Sequence, residues 1–337
     1  MSDIDITEVD RTDEAQLHAW WSVGHAANSH RPVDLWPDWE ISRLSLPEVD
    51  VDNRIDLLLG RDGGEVVGGA LLFVPLKDNT HMASIEVYVS PEHRRRGVGT
   101  AILEHCEQLA AAAGRRTLIS DVNVPFDEAD EDNEHNRWAD ARGYAVANVD
   151  TIKVADLATT ADLLPALEAQ AAERLGDYRL AWWTDPTPEE HIDSLAAAMS
   201  RFLGEIPLGD LDLHPQAWTA ERLRLREARR AAQRREQLTV VALAPSGEVA
   251  GYTNLTLSPH APRLADIGDT LVLPDHRGHR LGLAVKVLLH QQVRVLHPGA
   301  ELIATGNATT NRWMNDVNEQ LGYRPVDRCL ELQKVLG

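Results

Sequence analysis

Short apolar stretches with alternating polar residues lie along the chain between longer stretches of helical spacing. Alternation with a period of two predicts strands, whereas apolar residues three and four positions apart predict amphipathic helices. Gly63-Gly64 separates two of the apolar stretches and predicts a hairpin turn. The predicted series is a strand at 4–9, a helix at 13–28, strands at 55–60, 65–74 and 84–89, a helix at 98–113, a strand at 117–123, a short helix and a final strand.

The same series recurs in the second half of the chain. GEVVGGA at 64–70 recurs as GEVAGYT at 247–253, and VSPEHRRRGVGTA at 89–101 recurs as VLPDHRGHRLGLA at 272–284. Corresponding residues in these segments are 183 positions apart, as 91 and 274 are. The second predicted series is a strand at 178–183, helices at 188–203 and 215–236, strands at 238–244, 248–257 and 267–273, a helix at 281–296, a strand at 301–305, a short helix and a final strand.

A repeat of this length indicates two domains built on one plan. We predict an N-terminal domain at 1–157 and a C-terminal domain at 177–337. The segment 158–176 has helical spacing and few turn residues, so we predict a helical connector there.

Each copy places a basic, glycine-containing turn between a strand and a helix, PEHRRRGVG at 91–99 and PDHRGHRLG at 274–282. The N-terminus of a helix leaves N–H groups unpaired and binds anions. Glycine lets a phosphate approach the backbone, and arginine adds charged donors. The turn therefore predicts a pyrophosphate site in each copy. Its repetition in register argues against the alternative, a merely solvated start of the helix.

The motif Arg94-x-x-Gly97-x-Gly99, after a strand that ends Val87-Tyr88-Val89, resembles the acetyl-CoA signature of the GCN5-related N-acetyltransferases (GNATs). The segment NRWMNDVNEQLGYRP at 311–325 resembles the short, Asn-led helix of that family. Tandem members include mycothiol synthase and the enhanced-intracellular-survival-type acetyltransferases. The resemblance covers both copies and implies an α/β (α+β) fold of two tandem GNAT domains, each a splayed mixed sheet flanked by helices.

The resemblance also implies acetyl-CoA as cosubstrate. In the family, the pantetheine arm pairs with the end of the central strand, and the pyrophosphate meets the amides of the following loop. The implied cofactor-binding residues are Val87, Tyr88, Val89, Arg94, Arg95, Arg96, Gly97, Val98, Gly99 and Thr100 in the first copy, and Leu271, Val272, Leu273, Arg277, Gly278, His279, Arg280, Leu281, Gly282, Leu283 and Asn311 in the second.

Each copy departs from the family pattern at a different place. In the second copy, Arg280 replaces the first loop glycine; it is strained there if the position requires a positive φ, and otherwise could bind a phosphate. In the first copy, Asp132 replaces the asparagine that leads the short helix. The tyrosine that often serves the family as general acid is Ala139 in one copy and Asn318 in the other, so the acid is unassigned.

Acetyl transfer to an amine also requires a base, because an ammonium group must lose a proton before it attacks. Glu86 and Asp269 are our candidates, each eight residues before the loop arginine in an otherwise apolar strand. The alternative is a carboxylate on a solvated face of the strand. The complete phosphate loop favours the first copy as the one that supplies the base, whereas the complete short helix favours the second. We favour Glu86, because a thioester must be bound before it can be attacked.

Composition narrows the remaining possibilities. The formal net charge of −20 argues against nucleic acid or an anionic membrane as the main partner. No apolar run approaches the roughly 20 residues of a membrane-spanning helix, so we expect a cytoplasmic protein. Cys106 and Cys329 have no paired spacing and are expected to be free thiols. No cluster of His and Cys has the spacing of metal ligands, so we expect no metal.

Charge also suggests an acceptor. Residues 1–157 contain 30 acidic and 14 basic residues, and six of the eight residues at 127–134 are acidic. We therefore predict an N-acetyltransferase that moves an acetyl group from acetyl-CoA to a primary amine, of a small molecule or a lysine, and this charge favours a cationic acceptor. One alternative is a mycothiol-synthase-like enzyme with one catalytic and one structural copy. Another is a non-catalytic acyl-CoA-binding sensor.

Overall fold

The computed structural model describes residues 4–29, 31, 33–258 and 263–337 of the chain. They form two compact units. The first unit contains residues 1–149, 209–213 and 327–337, and the second contains 150–208 and 214–326.

The elements up to the middle of the chain follow the predicted series closely, with one helix that we did not predict, α2. Asp13 begins α1, because its carboxylate accepts hydrogen bonds from the backbone N–H groups of Ala15 and Gln16. The elements are β1 (Asp5–Glu8), α1 (Glu14–Asn28), α2 (Trp39–Ser45), β2 (Asn53–Asp62), β3 (Glu65–Pro75), β4 (Met82–Val89), α3 (Val98–Ala112), β5 (Thr117–Pro125), α4 (Glu134–Asp140) and β6 (Ala145–Asp156).

The second series begins with a helix, α5, at the segment that was predicted as a helical connector. The predicted helix at 215–236 is shorter in the structure, and a four-residue helix, α7, was not predicted. The elements are α5 (Leu157–Leu175), β7 (Arg179–Thr184), α6 (Glu189–Ser200), α7 (Phe202–Glu205), α8 (Ala220–Ala232), β8 (Glu236–Leu243), β9 (Val249–Leu257), β10 (Leu264–Val272), α9 (Leu281–Leu296), β11 (Leu302–Ala308), α10 (Arg312–Gln320) and β12 (Arg324–Val335).

The strands of the first unit are ordered β1-β2-β3-β4-β5-β12. All neighbours are antiparallel except β4 and β5. That parallel pair extends only from Met82 opposite Thr117 to Ser84 opposite Ile119. Beyond this point the two strands no longer pair, so the sheet is mixed and splayed, as the resemblance implied.

The strands of the second unit are ordered β6-β11-β10-β9-β8-β7. Its parallel pair, β10 with β11, extends from Leu264 opposite Leu302 to Asp266 opposite Ala304 and then separates in the same way. The predicted fold class, two tandem domains with splayed mixed sheets, is confirmed.

Each unit takes the strand at one end of its order, next to the strand that follows the splay, from the other copy of the repeat. Residues 327–335 of β12, at the end of the second copy, pair with β5 of the first unit. Residues 150–156 of β6, at the end of the first copy, pair with β11 of the second unit. The structural division therefore differs from the predicted one, 1–157 with 177–337, because the last strands are exchanged and because α5 packs on α9 within the second unit.

Helices cover both faces of each sheet. In the first unit, α3 packs on one face over a core that includes Leu72, Ile85 and Leu118, and α1 packs on the other face. In the second unit, α9 and α5 cover one face, and α6 and α8 cover the other. Cys106 and Cys329 form no disulfide, as predicted. Among the described residues, no helix combines the length and the apolar character that crossing a lipid bilayer requires.

Candidate functional site

The two basic loops have the same course but exchange their glycine and arginine positions. After one turn of 3-10 helix, the first loop has positive φ at Arg95 (63°) and Gly97 (91°). The second loop has positive φ at Gly278 (87°) and Arg280 (55°). The open question about Arg280 is therefore decided: its backbone is left-handed. The first loop has a left-handed arginine too, Arg95, at the position that corresponds to Gly278, two residues before that of Arg280.

The side chain of Arg280 points to α5 rather than into the loop. Its Nη1 donates to the carbonyl oxygen of Gln170 at 2.5 Å and lies 2.7 Å from a carboxylate oxygen of Glu173. The guanidinium of Arg280 is thus already paired. In this turn, the backbone N–H groups are the donors suited to an anion.

The first arginine of each loop braces the loop against the preceding strand. Nε of Arg94 donates to the carbonyl oxygen of Val89 at 3.4 Å, and Nε of Arg277 donates to that of Val272 at 3.2 Å. Because the strand carbonyl is the same in both copies, these arginines position the loop. Arg95 and Arg96 remain exposed at its surface.

The helices that follow the loops begin without a side-chain cap. Gly97 is the N-cap of α3 and Arg280 that of α9, and neither helix has a side-chain hydrogen bond at this end. The N–H groups of the first turns, 98–100 and 281–283, are therefore suited to phosphate oxygens. The side chains of Val98, Leu281 and Leu283 are buried in the cores, so these predicted residues offer only their backbone amides.

The strand ends predicted to bind a pantetheine arm border the splay of each sheet. In β4, pairing with β5 stops at Ser84, so the edge of residues 85–89 on that side has no strand neighbour. In β10, pairing with β11 stops at Asp266. The loop, the uncapped helix and the unpaired strand edge thus adjoin one another in each unit.

The two predicted carboxylates both accept a hydrogen bond from a buried tyrosine. The hydroxyl of Tyr88 donates to Glu86, and the hydroxyl of Tyr252 donates to Oδ2 of Asp269 at 3.4 Å. Burial and the adjacent carboxylate raise the pKa of Tyr88 and of Tyr252 well above the usual value, so both tyrosines stay protonated donors.

These tyrosines do not correspond in the repeat. In the first unit Tyr88 on β4 lies opposite Gly69 on β3, whereas in the second unit Tyr252 on β9 lies opposite Leu271 on β10. The two copies therefore place a tyrosine at the same cross-strand pair from opposite strands. The alignment of the copies hides this arrangement, because it matches Tyr88 with a leucine and Tyr252 with a glycine.

A β-bulge distinguishes the second unit. The register of β10 with β9 shifts between Ile267 and Thr270, which puts Asp269 in the bulge. Strand β4 pairs with β3 without a shift and is one residue shorter. Burial raises the pKa of Asp269, while hydrogen bonds from Asn254 and Tyr252 oppose that rise.

The model of the GNAT acetyltransferase family matches residues 15–131 and 208–306 of this chain. The chain belongs to the GNAT family. No curated protein sequence matches it. A tandem GNAT protein from the clavulanic acid biosynthesis pathway, solved without acetyl-CoA, is 25% identical, with 99% of both chains covered and a TM-score of 0.79. A GCN5-related N-acetyltransferase from Sphaerobacter thermophilus is 14% identical, with 98% of this chain and 95% of that chain covered and a TM-score of 0.65. The predicted tandem GNAT organisation is confirmed.

The second GNAT unit contains a buried polar network that sequence reasoning missed. Lys286 on α9 is fully buried, and its Nζ donates to Oδ1 of Asn318 at 2.5 Å. Nδ2 of Asn318 donates to Oδ1 of Asn307 at 2.9 Å, and Lys153 donates to the same oxygen at 3.0 Å. Burial, with a smaller effect of the charge on Lys153, lowers the pKa of Lys286 to about 7.

Asparagine begins both short helices of the GNAT units. Oδ1 of Asn311 accepts from the N–H of Met314 at 3.3 Å, so the side chain of this predicted cofactor residue caps α10. In the first unit, Asn133 rather than Asp132 caps α4 and accepts from His135 and Asn136. The first copy therefore keeps its cap one position later than the family pattern indicates.

Proposed function

We propose that this GNAT protein is an N-acetyltransferase that moves the acetyl group of acetyl-CoA to a primary amine. The observation that carries the proposal is the juxtaposition, in the second unit, of an uncapped helix with a positive-φ loop, a splayed strand edge and the half-buried carboxylate of Asp269. The loop suits a pyrophosphate, the strand edge suits the amide groups of a pantetheine arm, and the carboxylate suits a base.

Asp269 is the proposed base. A carboxylate with a raised pKa accepts a proton more readily than an ordinary one, and burial raises the pKa of Asp269. This choice replaces our preference for Glu86, which came from the completeness of the first loop. The hydroxyl of Tyr252 and the N–H of Asp269, which donates to Oδ1 of Asn254 at 3.1 Å, hold the bulged residue in place.

Acetyl-CoA supplies an acetyl group activated as a thioester. Asp269 accepts a proton from the acceptor ammonium, directly or through one water molecule. The amine nitrogen then forms a bond to the acetyl carbon while the carbon–sulfur bond breaks, and the sulfur leaves as a thiolate. The nitrogen loses its second proton to this thiolate, which gives the amide and the free thiol of CoA. A thiol pKa near 8.5 makes the thiolate a tolerable leaving group, so the reaction does not depend on the tyrosine that both copies lack.

The proposed acceptor is a cationic amine. The formal net charge of the chain is −20, and residues 127–134, which follow β5 in the first unit, contribute six acidic residues to this long-range field. Arg328 pairs with Asp130 at 3.0 Å, and Arg137 donates to the backbone carbonyl oxygens of Glu131 and Asp132. Negative charge of this kind attracts cations such as polyamines or lysine side chains.

The test is turnover against a panel of amines, with free thiol release and the mass of the product as readouts. Release of thiol that depends on the amine, together with an acetylated product, supports the proposal. Binding of acetyl-CoA without turnover of any amine in the panel supports a sensor instead and contradicts it. An acetylated thiol or hydroxyl as the only product contradicts amine transfer.

A further inference from the structure

We propose that acetyl-CoA binds in the second unit alone, because the indole of Trp138 fills the cofactor groove of the first. This inference rests on the proposed function and assigns its binding site to one unit. The loop of the first unit has both signature glycines, so sequence alone points the other way.

Trp138 lies where a cofactor would pass between strand and helix. A Cβ atom added to Gly99, in the first turn of α3, would lie 3.5 Å from Cζ2 of Trp138 and 3.3 Å from Cγ2 of Val89. The side chain of Val87 is 4.0 Å from the same point. The indole thus lies beside the helix turn that would meet the pyrophosphate, on the side that faces the end of β4, whose residues would pair with a pantetheine arm.

The helix that carries this indole is fastened to the proposed phosphate site. The guanidinium of Arg142 stacks on Trp138 at 4.3 Å from the ring centroid, and its Nη1 donates to the Trp138 carbonyl oxygen at 2.8 Å. Nη2 of the same guanidinium donates to Oγ1 of Thr100 at 2.6 Å. Three interactions of Arg142 therefore hold the indole in the groove, and one of them engages the side chain of Thr100 in the first turn of α3.

At its corresponding described positions, the second unit lacks both the indole and the guanidinium that fastens it. Trp138 lies five residues before Gly143, and the residue five before Gly322 is Val317, a much smaller side chain. A Cβ atom added to Gly282, the counterpart of Gly99, would have one neighbour within 4 Å, Cγ2 of Val272 at 3.7 Å. The groove of the second unit is therefore open where that of the first is filled.

The guanidinium that fastens the short helix is absent as well. Leu321, buried in the core, occupies the place of Arg142, so no guanidinium fastens α10 to the loop from that position. Nearby carboxylates do not distinguish the two loops, because Glu134 lies 3.9 Å from Arg95 in the first and Glu173 lies 2.7 Å from Arg280 in the second. The assignment therefore rests on the indole.

Calorimetric titration of the whole chain with acetyl-CoA tests the assignment. We expect one equivalent to bind the parent protein. Gly282→Glu should weaken this binding by roughly 100-fold or more, because it puts a carboxylate beside the phosphates. The position has room for a Cβ atom, so the fold should tolerate the change. Two equivalents in the parent, or unchanged binding by Gly282→Glu, would overturn the proposal.

A gain of binding tests the role of the indole itself. In the Gly282→Glu background, Trp138→Ala should restore binding of one equivalent, now in the first unit. Trp182→Ala, which removes a partly exposed indole from β7, is the matched control and should restore none. A folded Trp138→Ala, Gly282→Glu variant that binds no acetyl-CoA contradicts the proposal that the Trp138 indole fills the groove of the first unit. Failure of every protein, the parent included, to bind acetyl-CoA instead refutes the proposed function.

Discussion

The pairing of a buried tyrosine with a strand carboxylate is the residue-scale feature that the two units share. Tyr252 donates to Asp269 across 3.4 Å and thereby favours the ionised carboxylate. The hydrogen bond therefore opposes the rise in the pKa of Asp269 that burial produces. Its removal should make the proposed base harder to ionise.

Tyr252→Phe should consequently move the rise of kcat/KM to higher pH, with the plateau reached later and acetyl-CoA binding retained. The pH profile of kcat/KM checks this, with Tyr88→Phe as the matched control in the other unit. An unchanged profile for Tyr252→Phe would show that the tyrosine does not act on the base. An equal shift for Tyr88→Phe would place the base in the first unit.

Lys286 gives the stability of the protein a pH dependence at the same scale. In the folded chain burial lowers the pKa of Lys286 to about 7, whereas in the unfolded chain the amine keeps its ordinary pKa of 10.5. Between these values the unfolded state holds a proton that the folded state lacks, so the free energy of unfolding rises with pH. Below pH 7 the folded protein carries the full cost of a buried ammonium.

Lys286→Met should therefore be more stable than the parent near pH 7, by roughly 1 kcal/mol or more. The difference should shrink as pH rises to 10. Urea unfolding at a series of pH values measures it, because all other titrating groups contribute alike to both proteins. A difference that stays constant from pH 7 to 10 would contradict a buried amine that loses its proton on folding.

At the scale of elements, periodicity predicts most helices and strands, because each buries one face and so alternates with period 2 or 3.6. It does not predict which copy a last strand joins. Strands β6 and β12 have similar patterns and could each complete either sheet, so their exchange depends on long-range pairing that the sequence does not show. The position of Trp138 could not be predicted for the same reason. It lies beside Gly99 in α3, a residue nearly 40 positions away along the chain.

The backbone conformation of the loops could be predicted only in part. The sequence did not show whether Arg280 has a positive φ, and the structure shows that it does. The bulge at Asp269 was not predicted, although β10 is one residue longer than β4. A single extra residue within a strand is easily taken for a shift at its end.

The strand exchange makes a prediction of its own. Leu330 on β12 is fully buried in the core of the first unit, although it lies at the end of the second copy. Leu330→Ala should cost about 2–5 kcal/mol. Hydrogen exchange should then show lost protection in β4 and β5, whereas Ile303→Ala on β11 should expose β10 and β11 instead. Loss confined to the second unit in Leu330→Ala would contradict the exchange.

At the scale of the whole molecule, the charge of −20 is unevenly distributed, since residues 1–157 account for 30 of the 53 acidic residues and only 14 of the 33 basic ones. Long-range attraction of a cationic acceptor should weaken as salt shortens the range of electrostatic interactions to about 10 Å at 0.1 M. The KM for a polyamine should therefore rise with ionic strength, while the KM for acetyl-CoA serves as the comparison. An acceptor KM that is independent of salt, or a preference for an anionic acceptor, would contradict the prediction.

The central claim is that this GNAT protein transfers acetyl groups in its second unit with Asp269 as base. Its most direct test is kcat/KM as a function of pH for Asp269→Asn beside Glu86→Gln, since both changes preserve shape and remove basicity. The account predicts that Asp269→Asn loses roughly 10²–10⁴-fold in kcat while acetyl-CoA still binds, and that Glu86→Gln retains the activity and pH profile of the parent. Full activity of Asp269→Asn, or loss of activity in Glu86→Gln alone, would contradict it.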